Sequence, residues 1–403
     1  MISFELFTFD EKKIYNMIKK FFLKHKTVMK FIYYSLFIII ITTSSSKGVD
    51  TKATHAIILD FDTNDILYEK NSHIHTPPAS MTKIMTSYIV FDRIKNSNLK
   101  LNDEFIVSEK AYKKGGSRMF LEMNSKVSVE DLLYGVIVQS GNDASIVIAE
   151  NISGSESAFA DLMNEYSKKL GMKRTNFVNS SGWPHPNHYS TMYDLAILSK
   201  AIISDFPELY KIFSEKKFKY NKIMQLNRNV LLKYFKGADG LKTGYVKDSG
   251  YGIVVSSLRD NRRIILAVNG LESKKSRVEE ATRLLNWAYI NTKKVKLLSK
   301  DQILTEADVW LGKDKKVNLI SEISLFATLT SEQESNIKTK LIYNKPINAP
   351  IQKGQKVGKI VFEISKRPPI EIALLAKDEV KMVNPIIRIF SGINYLIFGN
   401  IND

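Results

Sequence analysis

Two rhythms of apolar positions alternate along the chain. The stretch "THAIILDFDTNDILYEKN" sets short apolar runs on either side of a turn signal and reads as two strands around an Asn64–Asp65 turn. Near residue 260 "YGIVVSSLRDNRRIILAVNG" repeats the pattern and predicts a hairpin turning at Asp260–Asn261. Between them the spacing lengthens to that of a helix: Ile84, Met85, Tyr88 and Ile89; then Val129, Leu132, Leu133, Val136 and Ile137; then "TMYDLAILSKAIISDF". Strands at both ends with helices inserted between them predict an α+β layer domain whose two hairpins share one antiparallel sheet. The segment "RVEEATRLLNWAYINTKKV" reads as its closing helix. From about residue 296 the runs shorten to "DVWLGK", "VNLI", "KTKLIY", "GKIVFEI" and "IEIALLA", with turn signals at Lys345–Pro346, Lys353–Gly354 and Pro368–Pro369. A second, smaller all-β domain is expected there, and no internal repeat is visible.

The two ends have patterns of their own. A basic stretch, "KKFFLKHKTVMK", precedes eleven apolar or nearly apolar residues, "FIYYSLFIIII", and then "TTSSSKG". Those are the three parts of a secretory signal, with cleavage expected near Ser46 and Met29 as an alternative start. The run is too short to span a bilayer, for which roughly 20 residues are needed. After Pro385, the residues Ile386, Ile389, Phe390, Ile393, Leu396 and Ile397 fall along one side of a helix. That stripe suits a helix lying on a membrane surface or one docked on its own domain, and Arg388 is its only basic residue. The expected divisions are 1–46 (extension and signal), 47–295 (α+β domain), 296–380 (all-β domain) and 381–403 (tail).

Composition narrows the classes. With 44% hydrophobic and 25% charged residues over 403 positions, the chain is globular and long enough for two or three domains. It has no cysteine, which excludes disulfides and thiolate metal sites. The net charge of +17, from 59 basic and 42 acidic residues, suits an anionic polymer or membrane and equally serves solubility. No zinc finger, zinc knuckle or RNP-like motif accompanies it, so no nucleic-acid partner is expected. No metal or cofactor is required by any motif.

Candidate chemistry begins with "PPASMTKIM", which places Ser80 three residues before Lys83. A serine hydroxyl needs a base within hydrogen-bond reach, and a residue three positions on lies on the same helix face. Spacing alone decides nothing, because Ser44/Lys47, Ser97/Lys100, Ser214/Lys217 and Ser335/Lys338 share it, and a helix-capping serine with a surface lysine fits as well. A lysine works as a base only when neutral, so burial or a nearby cation such as Lys242 must lower its pKa. Two further motifs follow in order. Ser140-Gly-Asn142 lies at the break between two helical patterns, where Ser140 can pass a proton and Asn142 hold an amide, or where Asp143 simply caps a helix. Lys242-Thr243-Gly244 reads as the start of a strand, where a lysine and a hydroxyl can bind a carboxylate and the glycine lets backbone approach, or as an ordinary solvated edge.

Taken together, the three motifs are the set found in penicillin-binding proteins and class A β-lactamases. With "LMNEYSKKLGMKRTNFVNSSGWPHPNHYSTMYDLAILSKAI", "FKYN…LNRNVLL" and "GADGLKTGY", residues 50–295 resemble the serine-type D-Ala-D-Ala carboxypeptidases, the low-molecular-mass class C penicillin-binding proteins. The resemblance implies a penicillin-binding-protein/β-lactamase-like transpeptidase fold followed by the small β domain. It implies export to the outer face of the inner membrane, a membrane surface as partner through the tail, and removal of D-alanine from peptidoglycan stem peptides ending in D-Ala-D-Ala. β-Lactams would be covalent inhibitors. On this chain Ser80 would be acylated, Lys83 its base and Ser140 the proton relay. Asn142, Lys242 and Thr243 would hold the peptide and its carboxylate, with Arg277 as an addition. Gly244 would let the substrate approach, and the backbone N–H groups of Ser80 and Tyr245 would form the oxyanion hole. Class A β-lactamases deacylate with a glutamate in a Glu-x-x-Leu-Asn pattern; the nearest residue here, Glu208 in "FPELYKIF", lacks that pattern. An endopeptidase cutting peptide cross-links, or a cell-wall scaffold without activity, stays open at this stage.

Overall fold

The central sheet is antiparallel, its strands lying in the order Ile66–Lys70, His55–Asp60, Arg262–Leu271, Gly250–Arg259, Ala238–Val246. It is seen in a computed structural model of the chain that describes residues 19–20 and 49–398. The signal segment, its cleavage near Ser46, the alternative start at Met29 and the last five residues lie outside the described residues. β1 (His55–Asp60) and β2 (Ile66–Lys70) form the first expected hairpin. Its turn uses Asn64 at a positive φ, a conformation that asparagine tolerates. Two small two-stranded sheets, β3 (Glu104–Ile106) with β4 (Lys126–Ser128) and β5 (Lys217–Tyr220) with β6 (Ile223–Leu226), were not foreseen. β7 (Ala238–Val246), β8 (Gly250–Arg259) and β9 (Arg262–Leu271) complete the sheet. Asp260 and Asn261 both take positive φ between β8 and β9, which is what a two-residue hairpin turn matched to sheet twist demands. The first and last hairpins share the sheet because β1 pairs with β9 in register from His55↔Asn269 to Asp60↔Ile264.

The expected helices are present. Lys83–Asn96 buries Ile84, Met85, Tyr88, Ile89, Val90 and Phe91 in the core, and Met192–Asp205 buries Leu195, Leu198 and Ile202. The Val129–Tyr134 helix widens into a π-turn over Gly135–Gln139 and ends at Ser140 in the left-handed region. Helix Asn142–Ser153 starts directly after it. The closing helix, Lys274–Asn291, stops earlier than its pattern suggested, because Thr292 already opens the next strand.

The second part is built on strands: β10 (Thr292–Leu298), β11 (Ile303–Trp310), β12 (Lys316–Ser321), β13 (Leu325–Thr330), β14 (Lys338–Tyr343), β15 (Ile347–Asn348), β16 (Lys356–Glu363) and β17 (Ile370–Ala376). They form a two-stranded sheet, β10-β13, and a six-stranded one, β14-β16-β17-β12-β11-β15, with one short helix at Ser331–Ser335. Leu319, Ile351, Phe362, Leu374 and Val380 give this part its own core. A final helix, Pro385–Phe398, exposes Ile386, Ile389, Phe390, Ile393, Leu396 and Ile397. Among the described residues no helix is long and apolar enough to cross a membrane.

Candidate active site

Ser80 sits in a 3-10 turn, Ala79–Thr82, rather than in the first turn of an α-helix, and Lys83 opens the helix behind it. Lys83 is fully buried, yet its Nζ has three oxygen neighbours: Ser181 O at 2.6 Å, Asn142 Oδ1 at 2.8 Å and Ser80 Oγ at 3.2 Å. The first two can only accept, so they take two N–H bonds. The remaining position faces Ser80: it holds an N–H in the ammonium and a lone pair in the neutral amine, able to take the hydroxyl proton.

Burial pushes the Lys83 ammonium down to about 7, opposed by the Asp143 carboxylate and reinforced by Arg228 and Lys114. The helping cations are therefore not the expected Lys242. Lys242 is itself fully buried, and its ammonium is driven well below the usual lysine range by burial first and then by the charges of Lys83, Arg228 and Arg277.

Helix Asn142–Ser153 delivers Asn142, whose Nδ2 donates to Gly115 O at 3.0 Å while its backbone N–H donates to Ser117 O at 2.7 Å. Asp143 does not cap this helix, since Gly141 occupies the N-cap position. Its buried carboxylate instead accepts from the N–H groups of Met119, Phe120, Leu121 and Ala144, tying the Ser117–Leu121 loop to the middle motif. Ser140 is buried at the cleft wall and is not one of the three partners of Lys83 Nζ.

Lys242, Thr243 and Gly244 lie in the second half of β7, not at its start. A Cβ on Gly244 would fall 2.9 Å from Pro78 O and 3.2 Å from Ala79 Cβ, so glycine is what lets the strand run against the serine turn. Tyr245 is half-exposed and its ring packs on Tyr251 with centroids 4.3 Å apart. Arg277, in the first turn of the closing helix, lies near Gly244 O at 3.5 Å and is held down to about 10 by burial. Its Nε has no partner in the structure.

These elements enclose a cleft of about 520 Å³, lined by Ser80, Ser140, Thr243, Gly244, Tyr245 and Arg277 together with Ser117, Arg228, Tyr251 and Lys274. Sequence reasoning brought the first six together and missed the last four. Of those, Arg228 lies in "LNRNVLL" and Tyr251 opens the predicted hairpin "YGIVVSSLRDNRRIILAVNG", but neither was assigned to the site. Among the described residues lining the cleft there is no carboxylate. Glu208 lies elsewhere, 82% exposed and ion-paired to Lys211 at 2.6 Å. No group of His, Cys, Asp and Glu able to hold a metal ion occurs among the described residues.

The sequence profile of a family described as D-alanyl-D-alanine carboxypeptidase matches residues 41–273, and one described as the penicillin-binding protein 5 C-terminal domain matches residues 293–382. The D-alanyl-D-alanine carboxypeptidase DacA of Haemophilus influenzae is 38% identical over 331 residues, covering 80% of this chain and 84% of that one. DacC of Escherichia coli is 37% identical over 347 residues, covering 84% and 86%. Among solved structures, penicillin-binding protein 5 of Haemophilus influenzae superposes with a TM-score of 0.72 at 36% identity, over 83% of this chain and 99% of that one. Penicillin-binding protein D2 of Listeria monocytogenes, in its ampicillin-bound form, superposes with a TM-score of 0.55 at 27% identity, over 59% and 98%.

Proposed function

Because the chain belongs to the D-alanyl-D-alanine carboxypeptidase family, we propose that its cleft removes the terminal D-alanine from peptidoglycan stem peptides through an acyl-enzyme on Ser80. The observation that carries this reading is the placement of Lys83 Nζ, buried, tied to two acceptors and directed at Ser80 Oγ by its third position. The substrate's terminal carboxylate binds at Lys242 and Thr243 with Arg277 near, supplying the countercharge these buried cations lack and restoring the Lys242 ammonium. Gly244 keeps β7 close to the serine turn, and Asn142 orients the peptide.

Ser80 Oγ attacks the carbonyl of the penultimate D-alanine as its proton passes to Lys83. The oxyanion is held by the backbone N–H groups of Ser80 and Tyr245. Collapse of this intermediate breaks the peptide bond, and Lys83 returns the proton through Ser140 to the departing amine. Water activated by the neutral Lys83 then hydrolyses the ester, so the cycle needs neither metal nor cofactor.

β-Lactams acylate the same serine and leave slowly, a reading supported by the lack of any carboxylate among the described cleft-lining residues. The chain is exported and works at the outer face of the inner membrane, with residues 47–295 as the catalytic domain and 296–380 as a β domain. The apolar residues exposed on Pro385–Phe398 favour attachment by that helix along the membrane surface. Mass spectrometry of the protein incubated with a D-Ala-D-Ala-ending pentapeptide tests the activity. Loss of one alanine, abolished in Ser80→Ala, is expected; an intact peptide with folded protein would refute it.

A further inference from the structure

Behind the serine turn lies a buried histidine that the chemistry above does not use. His188 is only 3% exposed, and both ring nitrogens are engaged. The Val178 N–H donates to Nδ1 at 3.2 Å, so Nδ1 carries the lone pair and Nε2 the hydrogen. Nε2 lies 2.8 Å from Thr82 Oγ1, which therefore accepts from it. Phe177 meets the imidazole edge-on, with centroids 5.6 Å apart.

Thr82 is one of two fully buried residues between Ser80 and Lys83, in the 3-10 turn that carries the serine. The loop that carries His188 also supplies Ser181 O to Lys83 Nζ at 2.6 Å and Ser180 O to Thr86 Oγ1 at 2.6 Å. Gly182 of the same loop packs so closely that a Cβ there would fall 1.8 Å from Ala79 O. The imidazole thus joins the loop that holds the base to the turn that holds the nucleophile.

We propose that His188 is a positioning residue for acylation, acting through Thr82 to hold Ser80 Oγ against Lys83 Nζ. It does so as a neutral ring: burial, the charge of His185 and that of Lys83 push it down to about 4 against the opposing Glu156 carboxylate, so it stays unprotonated wherever Lys83 titrates. The inference rests on Ser80 being the nucleophile, and that premise is checked separately by penicillin labelling of wild type and its loss in Ser80→Ala.

The test measures acylation by a fluorescent penicillin across pH in His188→Phe, His188→Gln and Thr82→Val. His188→Phe keeps the ring and loses both hydrogen bonds. The limiting acylation rate should fall about 10- to 100-fold with little change in apparent penicillin affinity, because a small misplacement of reacting groups costs that much. The acidic limb of its pH profile should move upward as the loosened loop lets water reach Lys83. Glutamine offers one acceptor and one donor and should restore most of the rate. His188→Phe and Thr82→Val should combine less than additively, since they remove the same bond. A wild-type rate and pH limb in a folded His188→Phe would overturn the proposal. So would a His188→Gln variant as slow as His188→Phe, or losses that only follow a falling thermal midpoint. Labelling that persists in Ser80→Ala would instead refute the assignment of Ser80.

Discussion

At the scale of single residues, the site turns on which lysine is neutral and when. Lys83 has a folded-state pKa of about 7, well below its ordinary value. Acylation by penicillin should therefore rise as pH passes through about 7, and stopped-flow labelling checks this. Lys83→Ala should lower the acylation rate by about 10²- to 10⁴-fold, the range for removing a positioned base. The same shift has a stability consequence. Between about 7 and the ordinary lysine range the unfolded chain binds the proton that the folded chain does not, so stability rises with pH across that window and the effect is absent below it. The thermal midpoint of wild type relative to Lys83→Met should climb as pH is raised from 7 to 10; a flat difference would mean that Lys83 is charged when folded. The serine–lysine spacing was legible beforehand but shared with four other pairs. Its neutrality was only partly legible, since Arg228 and Lys114 come from segments that spacing did not connect to it.

At the scale of elements, the loop from Asn176 to Ser190 does what no helix or strand does. Asn179 Oδ1 accepts from the N–H groups of Ser181, Gly182 and Trp183, which folds the loop so that its carbonyls face the serine helix. Gly182→Ala should be severe, because φ is +79° there and the added methyl would meet the backbone of Ala79. A loss of about 2–4 kcal/mol is expected, measured by denaturant unfolding, with penicillin acylation reduced alongside. The loop escaped sequence reasoning because it has no periodicity to read. The two outer hairpins and the expected amphipathic helices had such patterns and were recovered nearly whole, unlike the two short strand pairs. The C-terminal helix was also legible as a stripe of apolar positions. Removing residues 385–403 should leave penicillin labelling intact and release the mature protein from sedimented membranes; unchanged sedimentation would refute attachment through that helix.

At the scale of the whole molecule, Thr51–Asp403 forms one compact unit although it holds separate cores. The turn after β1 explains this. Asp65 accepts from the Thr328 N–H and from Arg367 Nη1 at 2.6 Å, while Arg367 Nη2 donates to Thr328 O at 2.6 Å. Arg262 adds a second tie, pairing with Asp60 at 2.9 Å and donating to Thr292 O at 2.7 Å. Both pairs are largely buried, so losing one partner strands the other charge. Arg367→Ala should cost about 1–3 kcal/mol and, in calorimetry, split one unfolding transition toward two. A single unshifted transition would show that the junction is held by other contacts. Neither tie was visible in the sequence: Asp65 and Arg367 are 302 positions apart and Asp60 and Arg262 are 202, and no pattern marks the Arg262–Thr292 contact.

What the sequence determined by itself was the order of elements, the pairing of the outer hairpins, the change to β structure near residue 296 and the three motifs. Local periodicity and short fixed spacings carry that information along the chain. What only the tertiary structure decided was which groups surround the Ser80–Lys83 pair. Burial of Lys83, the charges of Arg228 and Lys114, the carbonyl of Ser181 and the imidazole of His188 come from segments far apart in the chain. Electrostatics and hydrogen bonding act across space and depend on desolvation, which exists only once the core has closed around the site.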